Sequence, residues 1–424
     1  MKSRSGQTAT FEHRETGGVA TLGRRALLGR LAQLQDGELT IVEPAGRHVF
    51  GRSTPDFGVA VSLEVLDPQF WADAAFGGSV GAGDSYIRGH WRTSDLTGLV
   101  RLMIRNYDVL HGLDRGVARL SAPLHRLLHW LNRNTRAGSR RNIAAHYDLG
   151  NEFFRHMLDP TMAYSCAIYA TPASTLDEAQ RLKFDVICRK LQLEPGDELL
   201  EIGSGWGGLA IHAAREYGCR VTTTTISREQ HAYTREAIRA AGLESRITLL
   251  LEDYRDLRGR FDKLASVEML EAVGQRFMDD YFRACAGLLK PHGAMLLQAI
   301  TLQDQLYEKA LGAVDFIQRF VFPGGFLPSV TAITASLRRV TDLKLFHLED
   351  IGPHYVTTLA DWRRNLHARI GTVRAPGYPA EFLRLWDFYL SYCEGGFAER
   401  QLGDVQMLLT KPRCRRPPLA MLTA

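Results

Sequence analysis

The sequence predicts a two-part α/β protein: a doubly wound parallel sheet with helices on both faces, preceded by a smaller α+β module. Three observations carry this expectation. The chain has 424 residues, more than one hydrophobic core normally supports. From Asp197 onward, short apolar runs alternate with helical periods, the βαβαβ order of a parallel sheet. Between the first such run and its helix stands Gly203-Ser204-Gly205-Trp206-Gly207-Gly208, a glycine-rich turn where sheets of this kind bind ligands.

Composition narrows the class. Hydrophobic residues at 45% and charged residues at 23% are ordinary for a folded soluble enzyme and exclude a disordered or fibrous chain. No run approaches the roughly 18 apolar residues of a membrane span, and residues 1–18 lack the apolar core of a secretory signal. The expected compartment is the cytoplasm. A net charge of +5 points mildly to anionic partners, nucleic acid or an anionic lipid surface. The six cysteines are scattered without a CxxC pair, which argues against a zinc site or a disulfide framework.

In chain order, residues 1–20 read as a disordered tail. Residues 21–112 read as the N-terminal module: a helix at 26–34, strands at 39–42, 48–51 and 59–65, a short helix at 67–75, a glycine-rich stretch at 81–91 and an apolar helix at 94–107. Residues 113–142 form a basic linker. Leu120, Leu124, Leu127, Leu128 and Leu131 recur at helical spacing among Arg115, Arg119, Arg126, Arg133, Arg136, Arg140 and Arg141. Such a helix either lies on an anionic membrane or covers a core with its arginines in water, and the second is the commoner arrangement.

Residues 143–424 hold the sheet. Strands are expected at 198–203, 220–225, 247–252, 263–268 and 294–300, with helices at 206–217, 227–241 and 277–289 between them. Ser227 is an N-cap. Residues 301–336 read as helical, broken by Phe322-Pro323-Gly324-Gly325, and are long enough to form a cap over a site. Strands at 346–351 and 405–410 flank helices rich in aromatics.

Gly203, Gly205 and Gly208 satisfy the GxGxxG spacing of dinucleotide folds. Two features turn the reading toward S-adenosylmethionine. Glu201 lies within the strand before the loop, as in many methyltransferases. The next strand ends in Thr223-Thr224-Thr225, with no acid for the ribose hydroxyls of a dinucleotide.

Specific motifs follow: His146 to Phe154, Leu158 to Ala167 containing Tyr164-Ser165-Cys166, Thr225 to Gln230, Asp253-Tyr254-Arg255, Ser266 to Gly274, Phe322 to Val330 and Tyr392 to Phe397. This ordered set resembles the cyclopropane fatty acid synthase family, which includes mycolic acid cyclopropane synthases and related fatty-acyl methyltransferases. The likeness spans residues 140–412. It implies a seven-stranded, Rossmann-like class I methyltransferase domain with a helical cap. It also implies a homodimer on the inner membrane surface, no nucleic acid partner, and transfer of a methylene unit to the cis double bond of an unsaturated phospholipid. S-Adenosylmethionine is the implied co-substrate. Tyr164 and Ser165 would touch its methionine end, with Gly203 and Gly205 beneath. Thr225 and Gln230 would serve the ribose, Asp253 and Tyr254 the adenine.

The family also places a bicarbonate ion beside the reacting methyl, held by a cysteine, a glutamate, a histidine, an isoleucine amide and a tyrosine. The matching positions are Cys166, Glu271, Gln298, Ile300 and Tyr355. Gln298 and Ala272 replace histidines, and the altered pocket opens the outcome of the reaction between a ring and a methyl or methylene branch. An alkene is a poor nucleophile, so the sulfonium methyl must be held in line with it. The resulting carbocation is stabilised by aromatic faces, for which Tyr355, Phe316, Phe320 and Tyr389 are candidates. A base then removes a proton. The plainer alternatives are an inert buried thiol at Cys166, a helix-start acid at Glu271, structural roles for His146 and Asp148, a nicotinamide-dependent oxidoreductase on the same loop, and a non-catalytic lipid-binding protein.

Overall fold

The computed structural model describes residues 18–107, 150–371 and 378–419. Most of the expected tail, the basic segment 113–142, His146 and Asp148 lie outside the described residues. Among those described, one compact unit holds residues 18–94 with 106–107, and a second holds 95–105 with 150–419.

In the first unit, α1 (Gly18–Leu31) precedes β1 (Gly37–Glu43), β2 (Gly46–Arg52) and β3 (Ala60–Val65). Helix α2 (Gln69–Arg88) and β4 (Trp91–Thr93) follow, and the sheet order is β2-β1-β3-β4. The glycine-rich stretch at 81–91 is helix as far as Arg88. Helix α2 continues to Arg88, broken at Gly78, whose φ of 57° and ψ of −142° no helix contains. A Cβ on Gly81 would lie 2.1 Å from the Asp73 carbonyl oxygen. The glycines thus let the two halves of α2 close on each other.

Helix α3 (Leu96–Arg105) belongs to the second unit, although its position in the chain groups it with the N-terminal module. Its apolar face is the reason. Leu96, Leu99, Val100 and Leu102 are buried, and a Cβ on Gly395 would lie 2.6 Å from Val100 Cγ1. Thr97 Oγ1 donates to Glu394 at 3.0 Å and Arg101 Nε to Glu399 at 2.8 Å.

The large sheet comprises β5 (Glu198–Ile202), β6 (Arg220–Thr224), β7 (Ile247–Leu250), β8 (Phe261–Val267), β9 (Leu289–Leu302), β10 (Lys344–Asp350) and β11 (Leu402–Thr410). Its order is β10-β11-β9-β8-β5-β6-β7, with β11 antiparallel to both neighbours and β5 to β9 parallel. This is the expected seven-stranded doubly wound architecture. Successive residues face opposite layers: Leu199 and Leu296 join one core, Leu200 and Leu297 the other.

The helices of this unit are α4 (Asn151–Met157), α5 (Leu176–Leu191), α6 (Gly208–Glu216), α7 (Arg228–Ala240) and α8 (Met278–Leu288). The cap region holds α9 (Asp304–Leu311), α10 (Phe316–Phe320) and α11 (Val330–Val340), and the aromatic-rich pair is α12 (Gly352–Ala368) and α13 (Ala380–Ala398).

Candidate active site

The loop between β5 and α6 turns on left-handed glycines: Gly203 at φ 96°, Gly205 at 49° and Gly207 at 92°. The amides of Gly203 and Ser204 both donate to the Thr224 carbonyl, at 3.0 and 2.8 Å, which ties the loop to β6. A Cβ on Gly203 would lie 2.4 Å from Met269 Cγ, so Met269 packs directly on the loop. A Cβ on Gly205 would meet nothing within 4 Å; the loop leaves room there. Glu201 is buried and accepts from Thr223 Oγ1; burial pushes its carboxyl up to about 8 against that bond.

The remaining cofactor candidates line the same end of the sheet. Ser227 caps α7 by accepting from the Gln230 amide at 3.2 Å. Thr225 Oγ1 donates to Gln230 Oε1 at 2.9 Å, and both are buried. Asp253 forms a fork with Arg255, at 2.8 Å to Nε and 2.7 Å to Nη2. Tyr254 points into the core, with its ring 5.2 Å from Tyr281. Tyr164 and Tyr389 share a hydroxyl–hydroxyl bond of 3.0 Å, and Tyr164 lies 5.1 Å from Trp362. Ser165 Oγ accepts from the fully buried Lys183 at 2.6 Å. The loop, its open space at Gly205 and the acid at Glu201 together fit the amino-acid end of S-adenosylmethionine.

Beside Met269 is a cluster of acids, of which Asp404 is buried and Glu268 and Glu271 are half-buried. Glu268 follows β8 with φ of 49°. Its Oε1 accepts from the Cys166 amide at 2.8 Å and Gln298 Nε2 at 2.9 Å, and its Oε2 from the Tyr355 hydroxyl at 2.7 Å. Gln298 Nε2 also donates to Asp404 Oδ2 at 2.9 Å, and Gln298 Oε1 accepts from Gln406 at 3.0 Å. Glu271 accepts from the Ile300 amide, while its Oε2 has no partner among the described residues. Burial, reinforced by the Glu268 charge, pushes Glu271 up to about 8. Burial, then the Glu268 and Glu271 charges, raises Asp404 well above the usual carboxylate range.

The structure therefore brings Cys166, Gln298 and Tyr355 together, but around Glu268. Glu271 and Ile300 bond each other beside them. Cys166 enters through its backbone amide; its thiol is fully buried and pushed well up by burial, so it is neutral. These donors do not fit a bicarbonate ion, because the chain's own carboxylates already take them. The Phe322–Gly325 turn also reaches the cluster: the Phe326 amide donates to the Glu271 carbonyl at 3.1 Å, and Gly325 N to Phe322 O at 3.0 Å. Phe316 packs instead, at tilted angles, against Phe320, Phe388 and Tyr392.

Glu268, Asp404 and Lys183 were not singled out from sequence. Two carried a signal. Glu268 is an acid directly past a strand end of a doubly wound sheet, where the ligand crevice lies. Lys183 sits on the apolar stripe of α5 between Ala179, Gln180 and Ile187.

Residues 134–407 match the family model described as mycolic acid cyclopropane synthetase. The chain is 37% identical over 352 residues to tuberculostearic acid methyltransferase UfaA1 of Mycobacterium tuberculosis, covering 79% of each chain. It is 36% identical over 351 residues to cyclopropane-fatty-acyl-phospholipid synthase of Escherichia coli, covering 82% of this chain and 87% of that one. Among solved structures it resembles mycolic acid cyclopropane synthase CmaA1 complexed with SAH and CTAB, with a TM-score of 0.60, 30% identity, and 64% of this chain and 98% of that chain covered.

Proposed function

This chain belongs to the mycolic acid cyclopropane synthetase family and is an S-adenosylmethionine-dependent methyltransferase, and we propose that its acceptor is the cis double bond of an unsaturated phospholipid acyl chain, closed to a cyclopropane. The observation that carries this reading is a carboxylate cluster walled by aromatic rings, next to the cofactor loop. Tyr355 lies 4.5 Å from Phe397 and 6.0 Å from Trp362, and Trp362 lies 5.1 Å from Tyr164.

Each part answers a need of the reaction. The bound sulfonium supplies an electrophilic methyl. The Gly203–Gly208 loop and Ser165, held by Lys183, fix its position. The aromatic faces stabilise positive charge on the acyl carbon, each by about 0.5–2 kcal/mol. Burial keeps out water, which would otherwise trap the cation as an alcohol. A carboxylate of the cluster accepts the proton whose loss closes the ring. The substrate is reached at the inner membrane surface by a homodimer; the +5 net charge supports an anionic surface.

A second reading keeps the transfer and changes its end: the cation loses a proton elsewhere, leaving a methylene or methyl branch. Gln298 and Ala272, where the family has histidines, favour it, as does the likeness to a relative named for tuberculostearic acid.

The test is product analysis. Purified protein is incubated with liposomes of monounsaturated phospholipid and methyl-deuterated S-adenosylmethionine. Labelled acyl chains inert to an alkene-specific reagent establish the ring. Labelled chains that still react as alkenes establish the branch, and lipid without label removes the phospholipid assignment.

A further inference from the structure

Glu268 draws donors from three separate parts of the chain: the Cys166 amide, the Gln298 amide group within β9, and the Tyr355 hydroxyl on α12. These are three of the five groups that would hold bicarbonate in the resembled family. The other two, Glu271 and the Ile300 amide, bond each other. Every amide and hydroxyl donor of the set is taken, which leaves an ion only the protonated Glu271 carboxyl. A second anion beside Glu268 would also meet like charge at close range.

The backbone adds an independent observation. A φ of 49° at Glu268 is left-handed, which costs a non-glycine residue about 1–2 kcal/mol. Glycine would take that conformation without cost. Strain of this kind at a half-buried, fully hydrogen-bonded carboxylate marks a functional position. The neighbouring Met269 packs on Gly203, so Glu268 sits one residue from the floor of the cofactor loop.

We propose that the Glu268 carboxylate takes the place of bicarbonate as the base, so that the enzyme works without the ion. This rests on reading the site as one that deprotonates a transferred methyl. In that step a C–H bond of the methyl breaks and the proton goes to a Glu268 oxygen. The electron pair of that bond closes the third carbon–carbon bond onto the cationic carbon. Glu268 is the better-solvated partner of the buried acid pair: it receives three hydrogen bonds, while Asp404 accepts one from Gln298 and its Oδ1 has no partner among the described residues. The pair's proton therefore resides on Asp404, and Glu268 is the anion.

The discriminating variant is Glu268→Gly. It suits the observed φ and opens the three donors to a small anion. In a titration with carbon-13 bicarbonate followed by NMR, without lipid, the wild type shows no saturable binding and Glu268→Gly does. Saturable millimolar binding to the wild type overturns the proposal. In carbonate-depleted buffer the wild type keeps its rate of label transfer to lipid. Glu268→Gly loses at least 100-fold and regains at least tenfold with added bicarbonate. Glu268→Gln, which fills the space without a base, is inactive and not rescued. A wild type that needs bicarbonate, or an active Glu268→Gln, sinks the idea. If label reaches no lipid under any condition, the acceptor assignment fails and the binding titration alone decides. Calorimetry with S-adenosylmethionine confirms that each variant is folded.

Discussion

The Tyr355 hydroxyl donates to Glu268 Oε2 at 2.7 Å while its ring lies 4.5 Å from Phe397. One side chain thus stabilises a half-buried carboxylate and contributes an aromatic face beside it. Tyr355→Phe separates the two roles. The ring stays; the donor goes. A hydrogen bond to a charged group contributes about 1.5–3 kcal/mol, so Glu268 binds its proton more tightly in the variant. The acid limb of the pH–rate profile moves to higher pH, and turnover at neutral pH falls about tenfold or more. An unmoved acid limb would show that Tyr355 does not govern this carboxylate.

Lys183 is fully buried, and its charge faces Glu268, Cys166, Asp159 and Asp404. Burial lowers its pKa and these acids raise it. Lys183→Met leaves the acids without that cation, and breaking a buried charge arrangement costs about 3–5 kcal/mol. It also frees Ser165, so affinity for S-adenosylmethionine drops along with stability. Urea denaturation and calorimetry read the two effects; undisturbed cofactor affinity would remove Lys183 from the cofactor site.

Two glycines of one loop behave differently. Gly203→Ala puts a Cβ 2.4 Å from Met269 Cγ at φ 96°, so it lowers both stability and cofactor affinity. Gly205→Ala meets open space at φ 49°, so its strain is about 1 kcal/mol. Melting temperature therefore changes little in Gly205→Ala, while calorimetry shows S-adenosylmethionine binding weakened at least tenfold. Normal binding by Gly205→Ala would mean that the cofactor does not use that space.

Glu271 makes stability depend on pH. Burial and the Glu268 charge push it from 4.5 up to about 8. Between those values the folded chain keeps a proton that the unfolded chain has released. The stabilisation is complete below the unfolded value and is lost as pH rises toward 8, by at most about 1.4 kcal/mol per pH unit. Glu271→Gln keeps the acceptor for the Ile300 amide and removes the titration. Chemical denaturation from pH 5 to 8 then shows a shallower decline, with the variant the more stable at pH 8. Glu201, also near 8, preserves part of the slope in both proteins. Equal slopes would mean that Glu271 is ionised in the folded chain.

The sequence by itself determined the doubly wound sheet, the glycine turn and the Ser227 cap. Each is a local property: a period of 2 or 3.6, a left-handed φ, a side chain reaching an amide three residues away. It also named Cys166, Gln298 and Tyr355, through motifs. Only the tertiary structure decided what those three surround. The Cys166–Glu268 bond joins residues 102 apart and the Gln298–Asp404 bond residues 106 apart, and the second pair meets because β9 and β11 are neighbours in the sheet. It likewise decided that α2 folds back on its glycines and that α3 sits against α13. Close approach between segments is set by packing, which no local period encodes.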